Sequence, residues 1–520
     1  MGKASVANSG ILNRYRIEEL CVTMLKWLLC LLFWGLLGMN LLCFSNLKNN
    51  AESVEFILGI SFEKILCCVV ILAGIYGLYH SSFFEKLDRK KLENALLLFI
   101  TIGSVLWIFM AYDITQYDSH SILDAAEKFI DGDYSPLAAK SSYLQRYPFQ
   151  LPFVFCAEQI YKITGPGRYM LIRLINVCFL YGIYKCLLKI CNFILSGETE
   201  KKLAILLLCG AWQPVFLSTF IYPLIPSVFF SLFAACEFFT YFSEGNRRNV
   251  VFSGISLGMA ILLKSNAWIN YIAFGIIIAL AIARGEKRQI EGALLISAAL
   301  AILGQNAIYI YYEKQSGYQI EGGAPKVLWL AMGLQEGSKA PGWNNGFNWD
   351  TLKSVDFDAK QAADIGKEAV KEALNNFIEQ PTYAIKFFGK KEISQWCEPT
   401  YECFNASYHR EHEKPMGNLA KSIYVGTAHK LLLFYFHCYQ IISILGILLY
   451  CLNVKNVIKV EQLLIPLTIL GGFLFHTFME GKSSYVFPYY IMMIPFSIKG
   501  ILDLFSAIRG GKMEKKGYEQ

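Results

Sequence analysis

The chain has 520 residues, 55% of them hydrophobic and only 17% charged, with a mean hydropathy of +0.38. A soluble domain is nearer a quarter charged, so the composition excludes an ordinary soluble globular protein. The net charge of +7 is no nucleic-acid signature either, because the lysines and arginines sit in short segments between apolar runs.

Apolar runs of near 20 residues recur along the chain, which predicts an all-α polytopic membrane protein with about twelve spans. In order they are 22–44, 62–80, 93–112, 169–193, 203–220, 223–242, 250–264, 267–284, 290–312, 430–452, 461–478 and 484–506. The N-terminus is polar and lacks a cleavable-signal pattern, so the first run is expected to be retained. Basic residues cluster at Arg14/Arg16, Lys86 to Lys91, Lys201/Lys202, Arg247/Arg248, Arg284 to Arg288, Lys455/Lys459 and Arg509 to Lys516. All fall on one side if both termini are cytoplasmic, as the excess of Lys and Arg in cytoplasmic loops requires.

That topology divides the chain into four parts. An N-terminal cytoplasmic segment with two accessory spans covers 1–92. A transmembrane core covers 93–312, with a first outer loop at 113–168. An extracytoplasmic, mostly helical cap covers 313–429, and C-terminal spans with a basic cytoplasmic tail cover 430–520. Within the first outer loop, Tyr147 to Lys162 is apolar but short and carries Glu158 and Lys162. It reads as a juxtamembrane helix on the outer surface rather than a span. In the cap, Ala359 to Asn376 has helical composition, with Ile365, Ala369 and Ala373 at helical spacing. Trp329 to Leu334 and Pro341 to Asn345 read as tight turns presenting aromatics. The fifteen cysteines lie mostly in apolar runs and read as small apolar residues. Cys397 and Cys403 fall in the cap, and whether they form a disulfide is left open.

The candidate chemistry sits at the span ends. After the run ending at Ala111 comes an acidic, aromatic stretch with Asp113, Tyr117, Asp118 and His120. Carboxylates are costly in hydrocarbon, so the cluster belongs at the membrane boundary. A carboxylate there can accept a proton from an incoming hydroxyl. Asp118 is flanked by Tyr117 and His120 and followed by a short helix through Asp124 to Phe129, ended by Gly132. Asp113 stands at the same boundary and remains a competitor. Lys264 ends an apolar helix on the outer side, where it can hold an anionic phosphate or snorkel to the interface. The last outer hairpin brings Glu480, Lys482 and Tyr485. Trp343 and Asn344 offer an aromatic face and an amide suited to a sugar ring. Asn405-Ala406-Ser407 matches an N-glycosylation pattern. The chain lacks a P-loop, a GxSxG and an HExxH motif.

At these residues the chain resembles the GT-C superfamily of membrane glycosyltransferases, in particular the bacterial branch with the lipid A aminoarabinose transferase and the protein O-mannosyltransferases. The matching features are Asp118, then Ala125-Ala126, then Gly132-Asp133-Tyr134, then an aromatic and Pro-bearing stretch from Tyr143 to Gly165. They continue with a span end from Gly254 to Lys264 and a late Glu480, Lys482, Tyr485, Pro488 set, over roughly 115–500. Two departures stand out. Many members have Asp-Glu where this chain has Asp118-Ser119, and many carry a second acid where it reads Phe220 to Pro226. Both weigh against a bound divalent metal, so no cofactor is expected. Two extra spans also precede the family core.

The resemblance implies a polyprenyl-phosphate sugar donor in the outer leaflet and inversion at the anomeric carbon. The acceptor would be a glycan, lipid or protein. By carry-over Asp118 (or Asp113) is the base, and Lys264 holds the leaving phosphate with Lys482 or Tyr485. Tyr117, His120, Glu480, Trp343 and Asn344 bind acceptor or sugar. The alternatives are a lipid-linked oligosaccharide flippase or other transporter, and a polymerase of surface polysaccharide. A transporter would need charges lining the spans, and these are scarce.

Overall fold

Among the described residues, ten helices are long and apolar enough to cross a membrane. The structure, a computed structural model, describes residues 2–48, 53–111, 115, 117–283, 290–405, 417–453 and 459–517, with side chains described between 19 and 508. Asp113, Ser407, Arg284, Lys287, Arg288 and Lys455 lie outside the described residues. The chain is an all-α polytopic membrane protein.

The N-terminal helix α1 (Gly2–Leu42) is followed by a hairpin, β1 (Cys43–Lys48) and β2 (Ser53–Leu58), paired antiparallel from Cys43↔Leu58 to Lys48↔Ser53. The hairpin was not anticipated, because Cys43–Lys48 and Ser53–Leu58 do not alternate cleanly between apolar and polar residues. Helix α2 (Phe62–Tyr79) returns, and the short α3 (Ser82–Glu85) leads into α4 (Arg89–Met110). Asp88 caps α4 by accepting the Lys91 backbone N–H at 2.8 Å. The first outer loop folds into α5 (Tyr117–Ile130), α6 (Tyr143–Arg146) and α7 (Leu151–Thr164). Gly132, at φ +75°, ends the turn after α5, and Gly165, at φ +83°, ends α7.

Helix α7 has 14 residues, too few for a span. Its Glu158 is not a surface charge: it is 1% exposed, accepts Tyr312 O–H at 2.5 Å and pairs with Lys162 at 2.6 Å.

The core continues through α8 (Tyr169–Ile194), α9 (Glu198–Cys209), α10 (Gln213–Leu217), α11 (Leu224–Glu244), α12 (Arg247–Leu263), α13 (Trp268–Ala283) and α14 (Glu291–Ser316). The expected spans 203–220 and 250–264 are not among the ten long helices. The first is split into α9 and α10 at Gly210 to Trp212, with Pro214 at the start of α10. Even so, this pair runs the length of α4: Glu198 pairs with Arg89 at 3.0 Å, and Phe216 O accepts from Trp107 Nε1 at 3.0 Å. Helix α12 has 17 residues, a rise of about 25 Å. It packs its Gly254 and Gly258 against Ala293, Ser297 and Leu300 of α14, where a Cβ would come within about 3 Å of the neighbouring helix.

The cap carries α15 (Val327–Gly333), α16 (Phe347–Ser354), α17 (Ala359–Glu379), α18 (Pro381–Trp396) and α19 (Asn418–Val425). Trp329 to Gly333 is thus helical, not a turn. Helix α17 forms as expected and is capped by Asp358, which accepts from Lys360 N and Gln361 N. Its inward stripe is Ala362, Gly366 and Phe377, and Ile365 stays exposed. Gly366 sets that rotation, since a Cβ there would meet Val327 and Leu328 at 3.0 Å.

The final spans are α20 (Thr427–Leu452), α21 (Leu464–Phe478) and α22 (Ser483–Gly517). Between α18 and α19 the chain dips back onto these spans, and three buried amides hold it there. Asn40 and Gln440 both donate to Trp396 O (3.2 and 2.9 Å), Gln440 also to Tyr401 Oη (2.7 Å), and Gln213 to Pro399 O (3.1 Å). Irregular backbone away from water needs such donors. The hairpin secures the other flank: Ser45 N donates to Cys397 O and Val54 N to Lys339 O, each at 3.1 Å. All fifteen cysteines are free thiols, Cys397 and Cys403 included, and those two are fully buried.

Candidate active site

One pocket of about 90 Å³ gathers side chains from five separated stretches of sequence. Asp118 and Tyr117 come from α5, Tyr222 from the turn before α11, Lys264 from the end of α12, Glu402 and Tyr401 from the dipping cap segment, and Lys482 and Tyr485 from the last hairpin.

Helix α5 positions Asp118. Its inner face is Ile122, Leu123, Ala125, Ala126 and Phe129, all at most 2% exposed, and it packs on α7. The small Ala125 and Ala126 let the two helices approach closely. Asp118 then stands in the first turn, free of that face and open to solvent. Tyr117 before it takes φ +49°, a left-handed conformation costly for a bulky residue. The Tyr143 hydroxyl hydrogen-bonds Asp118, and burial, Tyr222 and that carboxylate push its pKa well up.

Lys264 caps α12 with extended backbone, φ −146° and ψ 113°, which throws its side chain off the helix. Its Nζ sits 4.9 Å from the Tyr222 ring centroid and 5.3 Å from that of Tyr485. Burial lowers its pKa to about 8. The Asp118 charge opposes that shift, Lys482 adds to it and Glu480 opposes it. A lysine so placed titrates within reach of neutral pH and is charge-compensated by the candidate base. The Tyr222 hydroxyl is raised by burial first and by Asp118 next, and it accepts from Gln150 Nε2 at 2.7 Å.

Opposite Asp118 stands a residue the sequence reading missed. Glu402 pairs through Oε2 with Lys482 Nζ at 3.2 Å, and its Oε1 accepts from Ser483 Oγ and Ser484 N at 3.3 Å. Tyr401 and Glu402 are consecutive left-handed residues, at φ +50° and +61°. With Tyr117 they are three of the five positive-φ non-glycine residues among those described, and all three line this pocket. Such strain persists only where the surroundings over-determine it, and it clusters at functional sites. Glu398 helps fix the turn, accepting from Thr400 N, Thr400 Oγ and Glu402 N. Burial pushes its carboxyl up to about 6. A second acid therefore does reach the pocket, from the cap rather than from the 220–226 loop. Its only sequence signal was two glutamates, Glu398 and Glu402, four residues apart in an otherwise apolar cap stretch.

The other expected residues divide. Glu480 does not line the pocket but accepts from Tyr485 Oη at 3.3 Å and acts on Lys264 through its charge. His120 is exposed on α5 and is not part of the lining. Trp343 is a correction. It is 2% exposed, donates from Nε1 to Ser394 Oγ at 2.8 Å, and packs with Leu47 and Ala340 under the β hairpin. It presents no face to a sugar. Asn344 is exposed, and its Oδ1 accepts from Gly346 N at 3.0 Å, so it serves a turn. Among the described residues, no three His, Cys, Asp or Glu side chains converge as metal ligands do.

No family model matches the chain, and no curated protein matches it. Among solved structures, the chain is similar to the apo form of the Archaeoglobus fulgidus oligosaccharyltransferase, at 12% identity and TM-score 0.44, covering 84% of this chain and 53% of that one. It is also similar to that protein, archaeal oligosaccharyltransferase AglB, in complex with an inhibitory peptide and a dolichol-phosphate, at 11% identity and TM-score 0.43 over 82% of this chain and 52% of that one. The form tethered with an acceptor peptide gives 11% identity and TM-score 0.42, covering 82% and 51%. The chain thus spans about half the length of these structures. At such values the likeness decides nothing about the pocket, whose chemistry follows from its own residues.

Proposed function

We propose that the chain is an inverting glycosyltransferase, moving a sugar from a polyprenyl-phosphate carrier to an acceptor hydroxyl at the outer membrane face, in modification of cell-surface glycan. The observation that carries this reading is the convergence of Asp118, Lys264, Lys482 and Tyr485 on one pocket from three distant parts of the sequence. The resemblance of the 115–500 motifs to GT-C enzymes points the same way.

In this mechanism the acceptor hydroxyl attacks the anomeric carbon. Its proton passes to the Asp118 carboxylate as the new C–O bond forms. The bond from the anomeric carbon to the phosphate oxygen breaks, and the electron pair leaves with the polyprenyl phosphate. Lys264 and Lys482 hold that phosphate, and stabilising developing charge is the largest service such a site offers. Tyr143 holds Asp118 in place. Glu402 holds Lys482 until the phosphate arrives.

The test is transfer from labelled polyprenyl-phosphate hexoses and pentoses by the protein in proteoliposomes. Asp118→Asn is expected to insert normally and to lose transfer. Wild-type transfer by that variant would end the base assignment.

A further inference from the structure

An aromatic surface leads away from Asp118 across the junction of the first outer loop with the cap. Tyr143, hydrogen-bonded to Asp118, meets Tyr147 at 5.2 Å between ring centroids. Tyr147 meets Phe149 at 6.0 Å and Trp329 of the cap at 5.9 Å. The Arg146 guanidinium lies between two rings, 5.0 Å from Tyr147 and 4.5 Å from Trp349. Phe149 and Trp349 remain 37% and 38% exposed, which is unusual for large aromatics that already have ring partners. Beside Trp349, Arg146 lines a cavity of about 30 Å³ with the Lys140–Glu321 ion pair. That volume takes a water or a hydroxyl, not a ring.

The junction is built rather than incidental. Ala324 N donates to Arg146 O at 2.9 Å, and Gly323 takes φ +83° where a Cβ would strike Pro148 at 2.5 Å. Phe357, which lines the same cavity and touches Trp349 at 5.6 Å, holds φ +61°. This is the second place in the molecule where left-handed non-glycine residues and a cavity coincide.

We propose that this aromatic surface is an acceptor subsite for a glycan. A pyranose ring has an apolar C–H face and a rim of hydroxyls. The electron-rich faces of Phe149, Trp329 and Trp349 suit the first, and the donors and acceptors of Arg146, Lys140 and Glu321 suit the second. A lipid chain would meet three charges here. A peptide strand has no sheet edge to join at this junction among the described residues. Calling the glycan an acceptor rests on the transferase reading of the pocket, because the surface ends at Asp118.

The experiment separates the two ideas. Full-length protein in nanodiscs is passed over immobilised oligosaccharides of hexose, N-acetylhexosamine and uronic acid units, with peptide and bare-lipid spots alongside. Retention is expected on at least one oligosaccharide class. Trp349→Ala and Phe149→Ala should each weaken it about tenfold, since one stacking contact is of that order. Trp349→Phe, which keeps a ring face, should recover most of the binding. Thermal unfolding of each variant shows that it is folded. Retention nowhere, on peptide or lipid spots alone, or unchanged in both alanine variants overturns the subsite. If Asp118→Asn transfers sugar normally while the oligosaccharide result holds, the base assignment fails and the subsite stands.

Discussion

Glu402 of the cap and Lys482 of the last hairpin form an ion pair at 3.2 Å that closes one wall of the pocket. The pair joins two segments 80 residues apart and fixes the Lys482 cation in the pocket lining, the cation proposed to hold the donor phosphate. Removing the carboxylate charge should free Lys482 and leave two hydrogen bonds to Ser483 and Ser484 weakened. Glu402→Gln is therefore expected to cost about 1–3 kcal/mol of stability and to raise the donor KM about tenfold. Lys482→Ala should raise donor KM similarly while leaving acceptor KM alone. A rise in acceptor KM instead would remove Lys482 from the phosphate.

Asp118→Asn keeps the shape of the side chain and removes its basicity. Transfer should fall by about 10²–10⁴, the usual range for a general base, with donor binding unchanged in an equilibrium titration. Tyr143→Phe removes the hydroxyl that holds Asp118. It should lower kcat several-fold with donor KM unchanged. Loss of donor binding in Asp118→Asn would reassign that residue to the phosphate.

Lys264 predicts an alkaline limit. Its pKa is held near 8, chiefly by burial, and a bound phosphate would raise it again. The sign follows: donor affinity is full below pH 8, where the lysine is charged, and is lost as pH rises through about 8. A profile of kcat/KM for donor should show that limb, and Lys264→Arg should move it out of range, because guanidinium stays charged. A wild-type profile flat to pH 9.5 would contradict the phosphate role.

Much of the architecture was open to inspection in the sequence, because spans are long and each is decided locally by the exclusion of charge from hydrocarbon. The exception at 203–220 has a local cause. Where a proline or glycine divides a run, as at Gly210 to Pro214, composition still looks continuous while the helix is not. In the site, Asp118 and Lys264 were readable because each ends or follows an apolar run. Glu402 was not, because its position depends on Asn40, Gln213 and Gln440 drawing a cap segment down onto the spans. No local pattern encodes that long-range contact. Trp343 was misread for the same reason: its cover is a hairpin about 300 residues earlier in the chain.

That cover makes Trp343 a stability residue. Trp343→Ala removes a buried indole and the Ser394 hydrogen bond together. The expected cost is about 3–5 kcal/mol, seen as a lower unfolding temperature and faster proteolysis of the cap. Donor KM of the surviving folded protein should stay within twofold. A large change in sugar transfer at unchanged stability would return Trp343 to the binding site.

Helices α20 and α22 cross at Gly446 and Gly500, where a Cβ on Gly500 would collide with Gly446 O and come within 2.6 Å of Tyr450 N. These atoms are backbone and cannot swing aside, so the helices must separate. Gly500→Ala should cost about 1–3 kcal/mol or more through overpacking. The same helix α22 begins at Ser483 and carries Tyr485 into the pocket. Tyr485 lies about four helical turns before Gly500 on the same helix, with Pro488 and Pro495 between them, so separation at Gly500 is expected to shift the pocket wall as well. Gly500→Ala should lower both thermal stability and donor kcat/KM, while Gly389→Ala, inside α18 with nothing within 4 Å of its added Cβ, should lower neither and gain some stability from helix propensity. A stable Gly500→Ala protein with normal kinetics would show that this crossing has slack that the geometry does not grant it.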